Sequence, residues 1–113
     1  MGGKTTSERQ IIIALVNAVD GREDEFNDWY TNTHLPEVVV LPGFLSAQRF
    51  EVPQEIADQS QHRYATVYEI EGSALDARNR LFNSGLGMSS SIDIANMVFS
   101  PFMPLGEAIR KGR

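Results

Sequence analysis

One apolar hexapeptide decides the fold: Ile11-Ile12-Ile13-Ala14-Leu15-Val16. Its β-branched residues favour a strand, and no polar residue interrupts it. A strand with one face in water would carry polar residues at every second position. This strand has none, so it is expected to be buried on both faces. The turn sequence Asp20-Gly21-Arg22 follows and separates the strand from the next element.

A helix is predicted over residues 23–33, because three acidic residues in its first turn suit the positive end of the helix dipole. Helical spacing gives an inward stripe of Phe26, Trp29, Tyr30 and Thr33. Pro36 disfavours helical geometry in the residue before it. The helix is therefore expected to end near His34 or Leu35.

Three further strands and a second helix complete the pattern. The strands are predicted at residues 44–52, 63–71 and 94–100, and the helix runs from an N-cap at Ser73 to about Asn83. On the second strand, Phe44 is expected to share a face with Ser46, Gln48 and Phe50. The order β-α-β-β-α-β predicts a ferredoxin-like α+β domain: an antiparallel four-stranded sheet with two helices on one face. Since the strands are apolar on both faces, the other face needs a cover, and a second copy of the chain would make a homodimer.

The chain has 113 residues, which favours one domain. We expect an N-terminal tail over residues 1–10, the domain over 11–104, and a C-terminal tail over 105–113. No apolar run reaches the roughly 20 residues of a membrane-spanning helix, and the polar start does not resemble a secretory signal. The expected location is cytoplasmic.

The charge pattern excludes several classes of partner. The net charge is -5, and the only dense basic group is Arg110, Lys111 and Arg113. Nucleic acid binding requires a larger basic surface, and an acidic protein is repelled by anionic lipid, so neither nucleic acid nor membrane is expected as a partner.

The residue inventory also restricts cofactors. Without cysteine there is no thiolate zinc site, disulfide or cysteine nucleophile, and two histidines cannot form a metal site made of histidine alone. Mixed ligation by histidine and carboxylates stays open, but the sequence shows no convincing ligand set, so we expect neither a metal nor a cofactor. Haem binding by His34 has no second supporting feature.

One segment carries a family resemblance. It reads Phe26-Asn27-Asp28-Trp29-Tyr30-Thr31-Asn32-Thr33-His34-Leu35-Pro36-Glu37 and is followed by the turn Pro42-Gly43-Phe44. Its W-Y-x-x-x-H-x-P core resembles the dimeric α/β-barrel superfamily, and within it the EthD-like group, over about residues 10–104. The resemblance implies two copies joined into an α/β barrel. It also implies one of several activities: polyketide cyclase, cofactor-free dehydratase, muconolactone-type isomerase, monooxygenase or haem-degrading enzyme.

The resemblance makes His34 the leading site residue, because it matches the histidine of the family's first helix. His34 lies about one helical turn after Tyr30, and a histidine can exchange a proton near neutral pH. We therefore predict His34 as the catalytic acid/base at the mouth of a cleft, with Tyr30 as a polarising hydrogen-bond donor. The alternative is that His34 only caps the end of the helix. The predicted substrate-binding residues are Trp29, Tyr64, Tyr68 and Asn17.

Three functions remain open at this point. The leading one is a cofactor-independent lyase or isomerase, of dehydratase or cyclase type, acting on a small aromatic or polyketide-like molecule between sheet and helices. The second is a non-catalytic protein that binds a small hydrophobic ligand or has an accessory role. The third is a cofactor-free monooxygenase. Fold alone does not choose among them.

Overall fold

The apolar hexapeptide forms an inner strand, β1 (Ile11–Val16), of a four-stranded antiparallel sheet in a computed structural model that describes residues 9–112. The other strands are β2 (Phe44–Glu51), β3 (Tyr64–Ile70) and β4 (Val98–Phe102), in the order β2-β3-β1-β4. The helices are α1 (Glu23–Trp29), α2 (Leu35–Val39) and α3 (Ala74–Phe82). The predicted α+β class and antiparallel four-stranded sheet are confirmed.

Within a single chain, β1 is buried on one face only. Ile12, Ala14 and Val16 are fully buried against the helices, whereas Ile11, Ile13 and Leu15 are partly exposed. The prediction of burial on both faces is therefore wrong for one chain. Pairing places apolar neighbours beside these three residues on β3 and β4, namely Ala65, Val67, Val98 and Phe102. We call this side of the sheet, which also carries Glu69 opposite Ile11 and Ser100 opposite Ile13, the open sheet face.

A bulge near the start of β2 changes which residues face the helices. Phe44 pairs with Ile70, but Ser46 pairs with Glu69, so one extra residue is inserted between the two pairs. Phe44 is therefore buried with the helices, while Ser46 lies on the opposite side. The expectation that Phe44 shares a face with Ser46 is wrong, because a bulge shifts the alternation of side chains by one residue.

The first helical region does not end before Pro36. One π-helical turn, Tyr30–His34, follows α1, and the N–H of Leu35 donates to the carbonyl oxygen of Tyr30. A new α segment, α2, then begins at Leu35, so Pro36 lies in a first turn, where its missing N–H is tolerated. The wider π turn leaves Thr33 exposed and buries His34 instead.

The last strand begins later than predicted. Ile94–Asn96 forms a short 3₁₀ turn, and β4 contains Pro101, opposite Ile12. The N–H of Ile70 donates to the carbonyl of Gln10, so even-numbered residues of β1 bond to β3 and odd-numbered residues bond to β4. Pro101 therefore turns its nitrogen outward, away from β1, as is usual for proline in an edge strand.

The structure describes only the last two residues of the expected N-terminal tail but nearly all of the C-terminal one. Residues 1–8 of the expected N-terminal tail lie outside the described residues. Gln10 is attached to the domain, because its side-chain oxygen accepts a hydrogen bond from the N–H of Ala74 at 2.7 Å. At the other end, residues 103–112 form neither helix nor strand, and Leu105 and Ile109 are fully exposed. None of the described helices is long and apolar enough to cross a membrane.

Gly43→Ala is expected to lower the free energy of unfolding by about 2 kcal/mol. Gly43 has a φ of 95°, and a Cβ there would lie 3.1 Å from Nη1 of Arg80 and 3.5 Å from Cβ of Ala77. Urea denaturation measures the loss. Gly87→Ala is the control, because a Cβ at Gly87 meets no atom within 4 Å. Equal losses in the two variants would contradict this prediction.

Candidate functional site

A cavity of about 280 Å³ opens between the π turn, α3, β4 and the loop that follows α3. Its apolar lining includes Leu81, Phe82, Leu86, Met88, Met97 and Phe99. The polar side chains in its wall are Tyr30 and His34, the pair predicted from the sequence as catalytic. Apolar cavities with a few convergent polar groups are typical of small-molecule sites.

Tyr30 and His34 lie at the two ends of the π turn and in the same wall of the cavity. Their ring centroids are 5.0 Å apart, and the rings meet edge to face at 69°. The other side of the His34 ring stacks on Trp29, with centroids 4.7 Å apart. Trp29 therefore fixes the imidazole from behind and is absent from the cavity lining, although the sequence predicted it to bind substrate.

His34 is more deeply buried than a residue at a cleft mouth, with only 6% of its surface exposed. Burial lowers the pKa of His34 to about 4, because removal from water disfavours the charged form. The ring is therefore neutral at pH 7 and able to accept a proton. Its Nδ1 atom is buried and has no hydrogen-bond partner in the described residues, so this nitrogen does not cap the helix.

Tyr30 is 2% exposed and packs against a cation that the sequence analysis missed. The Cζ atom of Arg49 lies 4.7 Å from the Tyr30 ring centroid, which is within cation–π range. Arg49 also donates to Oγ1 of Thr31 at 3.0 Å and to Oδ1 of Asn27 at 2.9 Å. A regular alternation along β2 would not have shown which side of the sheet this arginine occupies, because the bulge intervenes.

Tyr68 lies beneath Tyr30 rather than in the cavity wall. It is fully buried, and its ring packs 5.5 Å from Phe44 and 5.8 Å from Phe99, centroid to centroid. Burial raises the pKa of Tyr68 far above its usual value, and the nearby Tyr30 raises it further. The hydroxyl of Tyr68 has no well-formed hydrogen bond in the described residues.

Two predicted binding residues lie elsewhere and already have partners. The hydroxyl of Tyr64 accepts from Asn27 at 3.2 Å and donates to Glu23 at 3.0 Å. The amide of Asn17 donates to the carbonyl of Gln61 at 2.8 Å and accepts from the N–H of Arg63 at 2.7 Å. Neither lines this cavity: Tyr64 lines a separate pocket beside Asn27 and Arg49, and Asn17 lines another beside His62 and Asn96.

The loop after α3 contributes to the site in a way that its composition concealed. Its two glycines and four serines are a composition typical of a flexible loop, yet Leu86 and Met88 reach the cavity wall. The apolar residues of this otherwise polar loop, Leu86, Met88 and Ile92, are the signal that could have shown this. In the part of the chain that the structure describes, no group of three His, Asp or Glu side chains is placed to hold a metal ion.

Comparison with protein-family models, with curated proteins and with solved structures finds no match to this chain. The site is therefore interpreted from its own geometry and chemistry, and the family resemblance stated above stays a prediction.

Proposed function

We propose that this chain is a cofactor-independent lyase or isomerase, of dehydratase or cyclase type, which acts on a small neutral aromatic or polyketide-like molecule in the cavity. One observation carries the proposal: His34 and Tyr30 meet edge to face in the wall of a cavity that is otherwise apolar. The resemblance to the EthD-like group of dimeric α/β barrels supports the same reading.

The cavity itself limits the ligand. None of the described residues that line it is charged, so a charged ligand would lose its hydration without gaining a counter-ion. A cavity of about 150 Å³ is enough for benzene. Because this one is about 280 Å³, it suits a molecule of two fused rings.

The chemistry that fits the pair is enolisation. The neutral imidazole of His34 takes a proton from the carbon beside a carbonyl group, and the electron pair of that C–H bond forms a carbon–carbon double bond. The hydroxyl of Tyr30 donates to the carbonyl oxygen, which gains negative charge. Return of the proton to another carbon isomerises the molecule. If instead a neighbouring hydroxyl group leaves and combines with that proton to form water, the molecule is dehydrated.

A second candidate is a protein that binds the same ligand without turning it over. The observation in its favour is the pKa of about 4 for His34, because a base of such low basicity removes protons from carbon slowly. Both candidates use the same cavity, and the exchange experiment below separates them.

We also propose that the chain is a homodimer in which the open sheet faces of two copies pack together. The support is the row of partly exposed apolar residues on the two inner strands, Ile11, Ile13, Leu15, Ala65 and Val67. Monomeric proteins seldom leave a large continuous apolar patch exposed. This arrangement would form the α/β barrel implied by the resemblance.

Hydrogen–deuterium exchange into α-tetralone tests the enzymatic proposal without the natural substrate. α-Tetralone is a neutral two-ring ketone, and enolisation in D₂O replaces the hydrogens beside its carbonyl group. We expect the wild type to accelerate this exchange, followed by NMR. His34→Gln is expected to bind α-tetralone but to lose roughly 10²- to 10⁴-fold of the acceleration, which is the usual contribution of a general base.

The other histidine supplies the control. Nε2 of His62 donates to the carbonyl oxygen of Asn96 at 2.6 Å, and the residue lies outside the cavity, so His62→Gln is expected to retain full exchange. Binding without any accelerated exchange in the wild type would favour the non-catalytic candidate. Full exchange in His34→Gln would show that another residue is the base.

A further inference from the structure

Three buried hydrogen-bond donors lie together behind the cavity, and none of them makes a well-formed hydrogen bond within the described residues. They are Nε of Arg49, the hydroxyl of Thr66 and the hydroxyl of Tyr68. Arg49 and Thr66 are opposite each other on β2 and β3, and Tyr68 is the next residue of β3 on the same face. Buried donors are normally satisfied, so three unsatisfied ones at adjacent positions need a physical explanation.

Tyr30 lies between these donors and the cavity. Arg49 is 4.7 Å from the centre of its ring, and Tyr68 is close enough for Tyr30 to affect its ionisation. Tyr30 lines the cavity, whereas Arg49, Thr66 and Tyr68 do not. The donors can therefore influence a ligand through Tyr30 without touching it.

The physical link is the charge on the Tyr30 oxygen. When the hydroxyl of Tyr30 donates to an acceptor on the ligand, its oxygen becomes more negative and a better acceptor for the hydroxyl of Tyr68. Hydrogen bonds in such a chain strengthen one another, and the Arg49 cation over the ring stabilises the added charge. A ligand without an acceptor oxygen gains nothing from this arrangement.

We propose that Arg49 and Tyr68 are positioning residues which act through Tyr30 and select ligands that place an acceptor oxygen, such as a ketone carbonyl, at the Tyr30 end of the cavity. This inference rests on the proposed function, because it requires Tyr30 to contact the ligand. It adds the class of ligand, a neutral two-ring ketone, and two residues that do not line the cavity.

The test compares α-tetralone with tetralin, which has the same two rings but no oxygen. Wild type is expected to bind α-tetralone roughly tenfold more tightly, as one well-formed hydrogen bond provides. Tyr68→Phe removes only the hydroxyl. It is expected to lose most of this preference, leave tetralin binding unchanged, and move the infrared carbonyl stretch of bound α-tetralone towards its value in an apolar solvent.

The free energy of unfolding gives a second readout. If Tyr68 had only a structural role, removing its hydroxyl would lower this free energy. Tyr68→Phe removes a buried hydroxyl that makes no well-formed hydrogen bond within the described residues, so the free protein is expected to be about as stable as the wild type. Tyr64→Phe is the matched control on the same face of β3. Its hydroxyl is hydrogen-bonded to Asn27 and Glu23, so that variant is expected to be less stable while the ketone preference stays intact.

Several results would overturn the inference. One is an equal affinity of wild type for α-tetralone and tetralin, which leaves the cavity as an apolar binding site. Another is a Tyr68→Phe variant that keeps both the preference and the carbonyl frequency. Failure of wild type to bind either probe would overturn this inference and the proposed function together, whereas binding with preference but without deuterium exchange would overturn only catalysis.

Discussion

Lowering the pH from 7 to 4 is expected to remove on the order of 3 kcal/mol of unfolding free energy through His34 alone. Burial lowers the pKa of this side chain from 6.5 to about 4 in the folded protein. In the unfolded chain the imidazole returns to water and to its ordinary pKa. Between these two values the unfolded state binds a proton that the folded state does not bind.

The direction follows from this difference. Because the unfolded state carries more protons, acid favours it, and stability falls as the pH drops through 6.5 towards 4. Above pH 6.5 the ring is neutral in both states, so His34 adds no pH dependence there. Below pH 4 both states are protonated and the loss from this residue is complete.

Urea denaturation at a series of pH values measures the effect. Other groups also titrate, so the informative quantity is the difference in slope between wild type and His34→Gln, which has no group to titrate. His62→Gln retains His34 and is therefore expected to keep the loss of unfolding free energy at low pH that His34 causes. Identical slopes for wild type and His34→Gln would contradict the burial of a neutral imidazole.

Ile13→Lys is expected to convert the proposed homodimer into a monomer. Ile13 lies near the middle of the open sheet face, opposite Val67 on β3 and Ser100 on β4. In a dimer packed through this face, the charge of the lysine would be removed from water among the side chains of Ile11, Leu15 and Val67. Such a charge costs about 4 kcal/mol, which weakens association by roughly 10³-fold.

Sedimentation equilibrium at micromolar concentration measures the change. The control is Leu75→Lys, which makes the same substitution type on α3, where Leu75 is 54% exposed on the other layer of the molecule. That variant is expected to stay dimeric. A wild type that sediments as a monomer, or an Ile13→Lys variant that remains a dimer, would refute packing through the open sheet face.

The elements that the sequence predicted well are those set by local rules. The β-branched run of β1 forms the expected strand, and Ser73 caps α3 as expected, its hydroxyl accepting from the N–H of Asp76 at 3.1 Å. The pairing of Tyr30 with His34 also follows from helical spacing. Each of these depends on residues within one or two turns, so the pattern contains the necessary information.

What the sequence did not predict depends on contacts between distant segments. The bulge after Phe44 is a property of pairing with β3, and it decides that Arg49 faces Tyr30. The π turn is one residue wider than a pattern of α-helical spacing assumes, which explains why Thr33 was expected inside and is exposed. Pro36 was read as the end of a helix, because the sequence does not show that a new α segment begins at Leu35.

Pro101 has a consequence for how copies of this chain can assemble. The strand β4 is one border of the sheet, and its outward nitrogen at Pro101 has no hydrogen to offer to an approaching strand. The other border, β2, is distorted by its bulge. Since neither border is a regular template, strand-by-strand growth into fibrils is disfavoured at both ends. Association through a flat face is closed after two copies, whereas growth along the borders would have no natural limit.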